Sequence, residues 1–319
     1  MVSDALVVDS AQLRQHAATG LTILAVAACY FATARLGLLQ QLVRGQVTPL
    51  WPPTGIAVAA LLVFGLRIWP GIALGALSVN ILIGPSVLPV LIIAAGNTLA
   101  PVCSFLMLRR AGFHIDVDRL QDALALVFLG ALSGMLISAS VGAGVLALAG
   151  TLPPGGFWPT WSVWWTGDAM GVMVVTPLLL VVRRFRWPHG IGPGRWAEAA
   201  ALVACTTTVS VLATDTFNAS LLFLAFPFLI WSAFRFERAG AACCAVGVSV
   251  FAILAAGRGT GPFAHHGLLA NMITLQAFNG AVSLTALILA AVVAERNRTY
   301  QEIKRLCVQL SEKVAERDT

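Results

Sequence analysis

Apolar stretches long enough to cross a lipid bilayer follow one another from residue 17 to residue 294, and the chain turns polar at Glu295. Hydrophobic residues make up 58% of the 319 residues and charged residues only 11%, whereas soluble domains carry about 25% charged residues. A spanning helix needs about 20 mostly apolar residues. The sequence therefore predicts an integral membrane protein, an all-α polytopic bundle that ends in a polar helix.

Ten segments of the chain are candidates for spanning helices. A competing count of eight treats the close pair around the GLRIWPG stretch as half-helices that do not fully cross the bilayer. The three domains expected are an N-terminal cytoplasmic segment (1–16), a transmembrane domain (17–294) and the start of a signalling helix (295–319). The ten segments lie near residues 17–36, 53–66, 69–84, 88–108, 122–149, 158–182, 196–213, 220–234, 239–256 and 269–294.

The cationic residues test this arrangement because cytoplasmic loops of membrane proteins carry an excess of Lys and Arg. With the polar C-terminal helix placed in the cytoplasm, alternate loops hold most of the arginines, and both termini are expected on the cytoplasmic side of a bacterial inner membrane. The net charge of +6 does not indicate nucleic-acid binding, because no basic helix face or aromatic-basic interleaving occurs. The inside loops contain Arg67, Arg109, Arg110, Arg119, Arg183, Arg184, Arg186, Arg195, Arg235 and Arg238.

Asp168 is the clearest polar residue at membrane depth, about a third of the way into the sixth segment. A carboxyl group there is costly unless it is paired or hydrogen-bonded, so it indicates either a functional residue or a structural hydrogen-bond hub. Trp161, Trp164 and Trp165 precede it by one to two turns. They fit an interfacial tryptophan belt or the wall of an aromatic pocket.

Four amides lie in other segments at a similar depth: Asn80, Asn97, Gln276 and Asn279. Each alone is explained by hydrogen bonding between helices. Together with Asp168 and the WPPTG turn that begins at Trp51, they suggest a polar, aromatic-lined cavity in the outer half of the bilayer. The ligand-binding residues predicted for an unknown small molecule are Trp51, Asn80, Asn97, Trp161, Trp164, Trp165, Asp168, Gln276 and Asn279.

The polar C-terminal segment carries apolar residues at heptad spacing, which is typical of a coiled coil. Only Arg296 interrupts this seam, so we expect a parallel homodimer through residues 293–319. Such a helix could pass a structural change from the bilayer to an output domain. The seam consists of Val293, Tyr300, Ile303, Cys307, Leu310 and Val314.

Motifs for catalysis or cofactor binding are missing from the sequence. There is no nucleophile elbow, phosphate loop or His-x-x-x-His pair, and no histidine or second carboxylate at depth could act with Asp168 as acid and base. The six cysteines lack the spacing of a zinc site. We therefore expect no enzymatic activity, metal or cofactor in this chain.

Several motifs, in order, resemble the first class of membrane-associated sensor domains, the MASE family. They are LWPPTGIAVAALLVFGLRIWPGIALGALSVN, AAGNTLAPVCSFLMLRR, WSVWWTGDAMGVMVVTPLLL, FPFLIWSAFRFERAGAA, GRGTGPF and LQAFNGAVSLTALILAAVVAER. The resemblance covers roughly residues 17 to 298. This chain has Ala100 where the family often has Glu, so a polar contact at that position is not expected here.

The resemblance implies a signal-input module that senses a small molecule or membrane cue. Its signal would pass to a cytoplasmic histidine kinase, diguanylate cyclase or phosphodiesterase domain. A transporter-like solute-binding protein and a helix–helix interaction module are the alternatives. Paired interrupted helices related by a repeat, which are typical of secondary transporters, are not visible in the sequence.

Overall fold

The computed structural model of the chain is a bundle of α-helices, described here for residues 2–38, 50–84, 86–184, 192–215, 219–263 and 268–317. No strand occurs in these ranges, so the predicted all-α class is confirmed. Two π-helical segments, Leu126–Ser133 and Gly171–Val175, connect α5 to α6 and α7 to α8. The helices are α1 (Val2–Leu38), α2 (Pro52–Phe64), α3 (Trp69–Ile83), α4 (Val87–Arg110), α5 (Leu120–Ala125), α6 (Leu136–Leu148), α7 (Phe157–Met170), α8 (Thr176–Val182), α9 (Pro193–Asp215), α10 (Ala225–Arg258) and α11 (Leu268–Arg317).

Eight helical stretches in the described part of the chain are long and apolar enough to cross a membrane. This equals the lower of the two counts expected from the sequence. Two parts of the chain account for the difference from the higher expected count of ten spans. The stretch Pro52–Phe64 is shorter than a span, and Leu221–Arg258 is one continuous stretch that includes both the eighth and ninth predicted segments.

The stretch Leu221–Arg258 doubles back on itself at Glu237, whose φ of 52° and ψ of −139° are not helical. Near this reversal Arg235 forms an ion pair with Glu198, close to the start of α9. Past the far end of α10, a Cβ on Gly261 would lie 2.1 Å from the carbonyl oxygen of Thr214, close to the end of α9. The two halves of α10 therefore run antiparallel, as two separate segments would.

Helix α2 starts inside the bundle instead of at its surface. The Trp51 N–H donates to the carbonyl oxygen of Gly167 at 3.0 Å, ten residues into α7 and thus about 15 Å from the start of that helix. Pro52 and Pro53 favour a helix start here, because proline is tolerated in the first turn. Since 13 residues span only about 20 Å, α2 occupies about half of the bundle.

Close backbone contact holds α2 against the π-helical segment that follows α7. A Cβ on Gly55 would lie 2.1 Å from the carbonyl oxygen of Gly171, and a Cβ on Gly171 would lie 2.1 Å from that of Trp51. Thr176 Oγ1 also donates to the Gly55 carbonyl oxygen at 2.9 Å. Glycine at both positions is therefore a steric requirement for the approach of α2 to Asp168.

Helix α11 is continuous for 50 residues, about 75 Å. Its first half packs in the bundle, and every residue from Glu295 to Lys313 is exposed. Of the predicted seam, Val293 is buried in the bundle, whereas Tyr300, Ile303, Cys307 and Leu310 are exposed; the side chain of Val314 lies outside the described residues. The coiled coil stays a prediction. We name the two ends of the bundle the Phe157 end and the Glu295 end.

A polar cluster around Asp168

Asp168 on α7 is the centre of a polar cluster, and its two carboxyl oxygens accept hydrogen bonds from two other helices. Its Oδ1 accepts a hydrogen bond of 2.6 Å from Thr54 Oγ1 on α2, and its Oδ2 accepts one from Ser138 Oγ on α6. The carboxyl group is only 2% exposed. Because each oxygen has a hydroxyl donor, the cluster removes most of the penalty for burying an acceptor at this depth.

The Ser138 hydroxyl links Asp168 to two more predicted site residues. Trp164 Nε1 donates to Ser138 Oγ at 3.0 Å, and the side-chain amide of Asn97 lies 3.3 Å from the same oxygen. A serine hydroxyl has one hydrogen, which is used on Asp168. The amide orientation that fits this network therefore has Asn97 Nδ2 donating to Ser138, since amide oxygen and nitrogen are assigned from such networks.

Tyr30 on α1 completes the cluster on the side of Trp51. Its side chain is 1% exposed and lies near the side chains of Trp51 and Asp168. Trp51 thus contacts the cluster through its indole, while its backbone N–H contacts α7. The cluster joins α1, α2, α4, α6 and α7 at one depth.

The three predicted tryptophans have different surroundings. The ring of Trp164 packs on Gly142, where an added Cβ would lie 2.4 Å from the indole. Trp165 Nε1 donates to the carbonyl oxygen of Leu132 at 2.8 Å, and its ring stacks on Trp161 at 5.7 Å. Trp158 makes an edge contact with Trp161 at 6.0 Å. Aromatic rings in contact with one another therefore lead from the Phe157 end towards Asp168.

The other predicted residues, Asn80, Gln276 and Asn279, lie on α3 and α11. Asn80 Nδ2 donates to the carbonyl oxygen of Ala76 in its own helix at 2.8 Å. Gln276 and Asn279 lie on α11, which packs against α7 where Met272 meets Val163 and Gly280 approaches Met170. Both are thus level with Asp168, as predicted. Asn279 is 1% exposed, and its Oδ1 has no hydrogen-bond partner among the described residues.

Several pockets bounded by described residues lie away from this cluster. A groove of about 590 Å³ separates α3 from α4 and is lined by residues such as Leu77 and Thr98. A cleft of about 230 Å³ at the Glu295 end is lined by polar residues that include Asp116 and Arg238. A ligand of Asp168 would have to replace a hydroxyl donor, so ligand binding by the nine predicted residues stays a prediction.

Tyr30, Thr54 and Ser138 belong to the cluster but were not among the predicted site residues. Hydroxyl side chains are common in membrane helices and bond readily to their own backbone, so composition does not distinguish them. Thr54 was easier to recognise than Tyr30 or Ser138, because it lies within the WPPTG motif that places α2 at the depth of Asp168. Ser138 becomes recognisable only once α6 is packed against α7.

Comparison with known proteins agrees with the helical bundle and its position in the chain. The MASE1 family model matches residues 22–297. The protein described as probable diguanylate cyclase DgcE of Escherichia coli (strain K12) is 28% identical over 209 residues, which are 60% of this chain and 17% of that protein. No solved structure matches the chain.

The chain thus spans less than a fifth of the length of this relative, and the comparison concerns the membrane part. The relative's printed name refers to an activity of the whole protein, of which the match covers 17%. The match to the family model, in contrast, includes every helix from α2 to α10 and the bundle half of α11. On this basis the chain is a multi-pass membrane protein that belongs to the MASE1 family.

Proposed function

We propose that this chain is a sensory input module, in which packing around Asp168 controls α11 and, through it, a cytoplasmic output domain. The observation that carries this proposal is the continuity of α11. This helix passes α7 at the depth of Asp168, where it carries Gln276 and Asn279, and it runs without a break from Leu268 to Arg317. A shift of its first half would move its exposed half as a rigid rod.

The contacts between α7 and α11 support a mechanical link to the cluster. Val163 and Met170 lie five residues before and two residues after Asp168, and both pack on α11. A ligand or membrane cue that favours another packing of α7 would therefore also favour another position of α11. The rings of Trp158, Trp161 and Trp165 lead inward from the Phe157 end. A hydrophobic or aromatic molecule would reach the cluster along these rings.

The arginine distribution supports an orientation with the Glu295 end in the cytoplasm. Arg183 and Arg184 pair with Asp116 at this end, and Arg235 pairs with Glu198. This orientation places the N-terminal start of α1 and the exposed half of α11 on the cytoplasmic side of a bacterial inner membrane. The Phe157 end would then face outward, where an external cue would reach it.

The comparison with DgcE supports a diguanylate cyclase as one output domain, and a histidine kinase is the other output expected for the family. The chain itself would be non-catalytic. The exposed apolar residues of α11, from Tyr300 to Leu310, would pair with those of a second copy as a parallel coiled coil. A change in the register of this pairing would reach the output domain.

A fusion of residues 1–319 to a diguanylate cyclase domain tests the proposal, with cyclic di-GMP formation as the readout. We expect Asp168→Asn to change the basal output by at least about fivefold, the lower limit of a typical coupling between sites. The control is Asn80→Ala, because Asn80 is also buried but its side chain bonds only within its own helix among the described residues. Its output should stay near that of the parent.

Membrane insertion and thermal stability of each variant separate a loss of signal from a loss of fold. If Asp168→Asn is folded and its output equals that of the parent and of Asn80→Ala, the sensory proposal is wrong. If the variant instead abolishes uptake of a solute while output is unchanged, the transporter-like alternative is correct.

A further inference from the structure

Two segments contact α11 where it leaves the bundle, and together we call them the collar. The first is residues 116–120, which are the end of the loop after α4 and the first residue of α5. The second is the turn at Glu237, where α10 reverses direction. Asp118 forms an ion pair with Arg298, and the Leu120 N–H donates to Glu295 Oε2 at 3.4 Å. From the other side, Asn297 Nδ2 donates to Glu237 Oε1 at 2.9 Å. The collar therefore holds one turn of α11 from two sides.

The collar is also attached to the helix that carries Asp168. Asp116 forms ion pairs with Arg184 at 2.9 Å and with Arg183 at 3.6 Å, just past the end of α8. Helix α8 continues α7 through the π-helical segment, so these arginines belong to the same rod as Asp168. Arg238, next to Glu237, donates to the Asp116 carbonyl oxygen. The two parts of the collar are thereby joined to each other and to α8.

Backbone strain occurs at both parts of the collar. Val117 has a φ of 48° and Glu237 a φ of 52°, and they are the two non-glycine residues with positive φ in the described chain. A β-branched residue is especially unfavourable in this region. Such conformations persist where the surrounding contacts impose them, and they are typical of switch regions. Glu237 itself contacts α11 through Asn297, and Val117 is next to Asp118, which contacts α11 through Arg298.

The contacts define the rotation of α11 about its own axis. Successive helical residues are about 100° apart, so Glu295, Asn297 and Arg298 cover an arc of about 160°. On the same scale, Ile303 and Leu310 lie about 140° to 160° from the middle of that arc. The collar thus holds the face of α11 that is opposite the exposed seam, and it leaves the seam accessible.

We propose that the collar fixes the rotational position of α11, and that a movement of α7 and α8 reaches the exposed seam by displacing the collar. The second half of this inference rests on the proposed function, because it assumes that the seam transmits a signal. The first half concerns only contacts within one chain. The two halves are therefore tested separately.

Cysteine bridging within one chain tests the rotational position. In the full chain with Cys307→Ser, a short bifunctional maleimide is applied to the pair Asp118→Cys and Arg298→Cys, and the bridged peptide is quantified by mass spectrometry. The matched control pairs Asp118→Cys with Arg296→Cys, at nearly the same depth but about 160° around the helix. We expect bridging to position 298 to be several times faster; equal rates would overturn the proposal, whatever the oligomeric state.

Charge exchange tests the link from the collar to the seam. Arg298→Asp and Asp118→Arg each place like charges together, and the double variant restores an ion pair. In a Cys307→Ser background, the readout is disulfide formation between copies at Ile303→Cys relative to Gln309→Cys. We expect each single variant to change this ratio by about threefold, and the double variant to return it towards the parent value, as in a double-mutant cycle.

Arg305→Asp is the matched control, since Arg305 lies on the same face as the collar contacts but almost two turns from Arg298. It should leave the ratio unchanged. If Arg298→Asp and Asp118→Arg behave like Arg305→Asp, the collar does not control the seam, and the proposed function can still hold. If Ile303→Cys forms no disulfide even in the parent, the relay through a dimer fails, while the bridging experiment still decides the rotational position.

Discussion

The Thr54 hydroxyl donates a hydrogen bond of 2.6 Å to Asp168, although 114 residues separate the two in the chain. This bond attaches the start of the half-length helix α2 to the carboxyl group on α7. Because Ser138 supplies the second donor from α6, the position of Asp168 depends on three helices at once. A change in the relative packing of these helices would therefore change the hydrogen bonds of this carboxyl group.

Replacement of Thr54 by valine should destabilise the bundle through this bond. The side chain keeps its shape, but one buried carboxylate oxygen loses its donor, at a cost of about 1–3 kcal/mol. Thr98→Val is the matched control, because the buried Thr98 hydroxyl donates to the Ala94 carbonyl oxygen of its own helix. Unfolding in detergent should show a clearly larger loss for Thr54→Val; equal losses would contradict the role given to Thr54.

Alanine at Gly55 should prevent the close approach of α2 to α7. The added Cβ would lie 2.1 Å from the backbone oxygen of Gly171, and backbone atoms move less easily than side chains, so we expect a loss of at least about 2 kcal/mol. At Gly144 an added Cβ meets nothing within 4 Å. Gly144→Ala should be neutral or slightly stabilising. Thermal melting of both variants checks this, and similar melting temperatures would argue against the packing of α2.

Trp164→Phe should weaken the cluster. The indole donor to Ser138 is lost, at a cost of about 1 kcal/mol, and so are the distal ring atoms that pack on Gly142. Trp158→Phe is a suitable comparison, since Trp158 is 70% exposed and has no hydrogen bond among the described residues. In the cyclase fusion protein, Trp164→Phe should shift the output and Trp158→Phe should not. If Trp158→Phe shifts the output and Trp164→Phe does not, the outer rings, and not the cluster, receive the cue.

The sequence predicted the fold class well, because this depends on where polar residues interrupt apolar stretches. Asp168 was recognisable for this reason, and the WPPTG motif located the start of α2. The contacts of the cluster were not predictable in the same way. Thr54 and Ser138 resemble other hydroxyl residues of membrane helices, and only the packing of α2 and α6 makes them partners of Asp168.

The count of spans shows a similar limit. The sequence predicted separate apolar segments on the two sides of Glu237, and the chain reverses direction there. Composition does not reveal that one residue with a positive φ makes this turn, so that both segments form one helical stretch. The collar was not predictable from the sequence, because its ion pairs join Asp118 to Arg298 and Asp116 to Arg184 across long sequence separations.

The central claim is that the state of the Asp168 cluster sets the position of the exposed seam on α11. Disulfide formation in native membranes tests it most directly, with single cysteines at Ile303, Leu310 and Gln309 in a Cys307→Ser background, each with and without Asp168→Asn. The account predicts disulfides at Ile303 and Leu310 well above those at Gln309, and a change in this pattern when Asp168→Asn is added. No disulfide at Ile303 or Leu310 in either background, or an identical pattern in both, would contradict it.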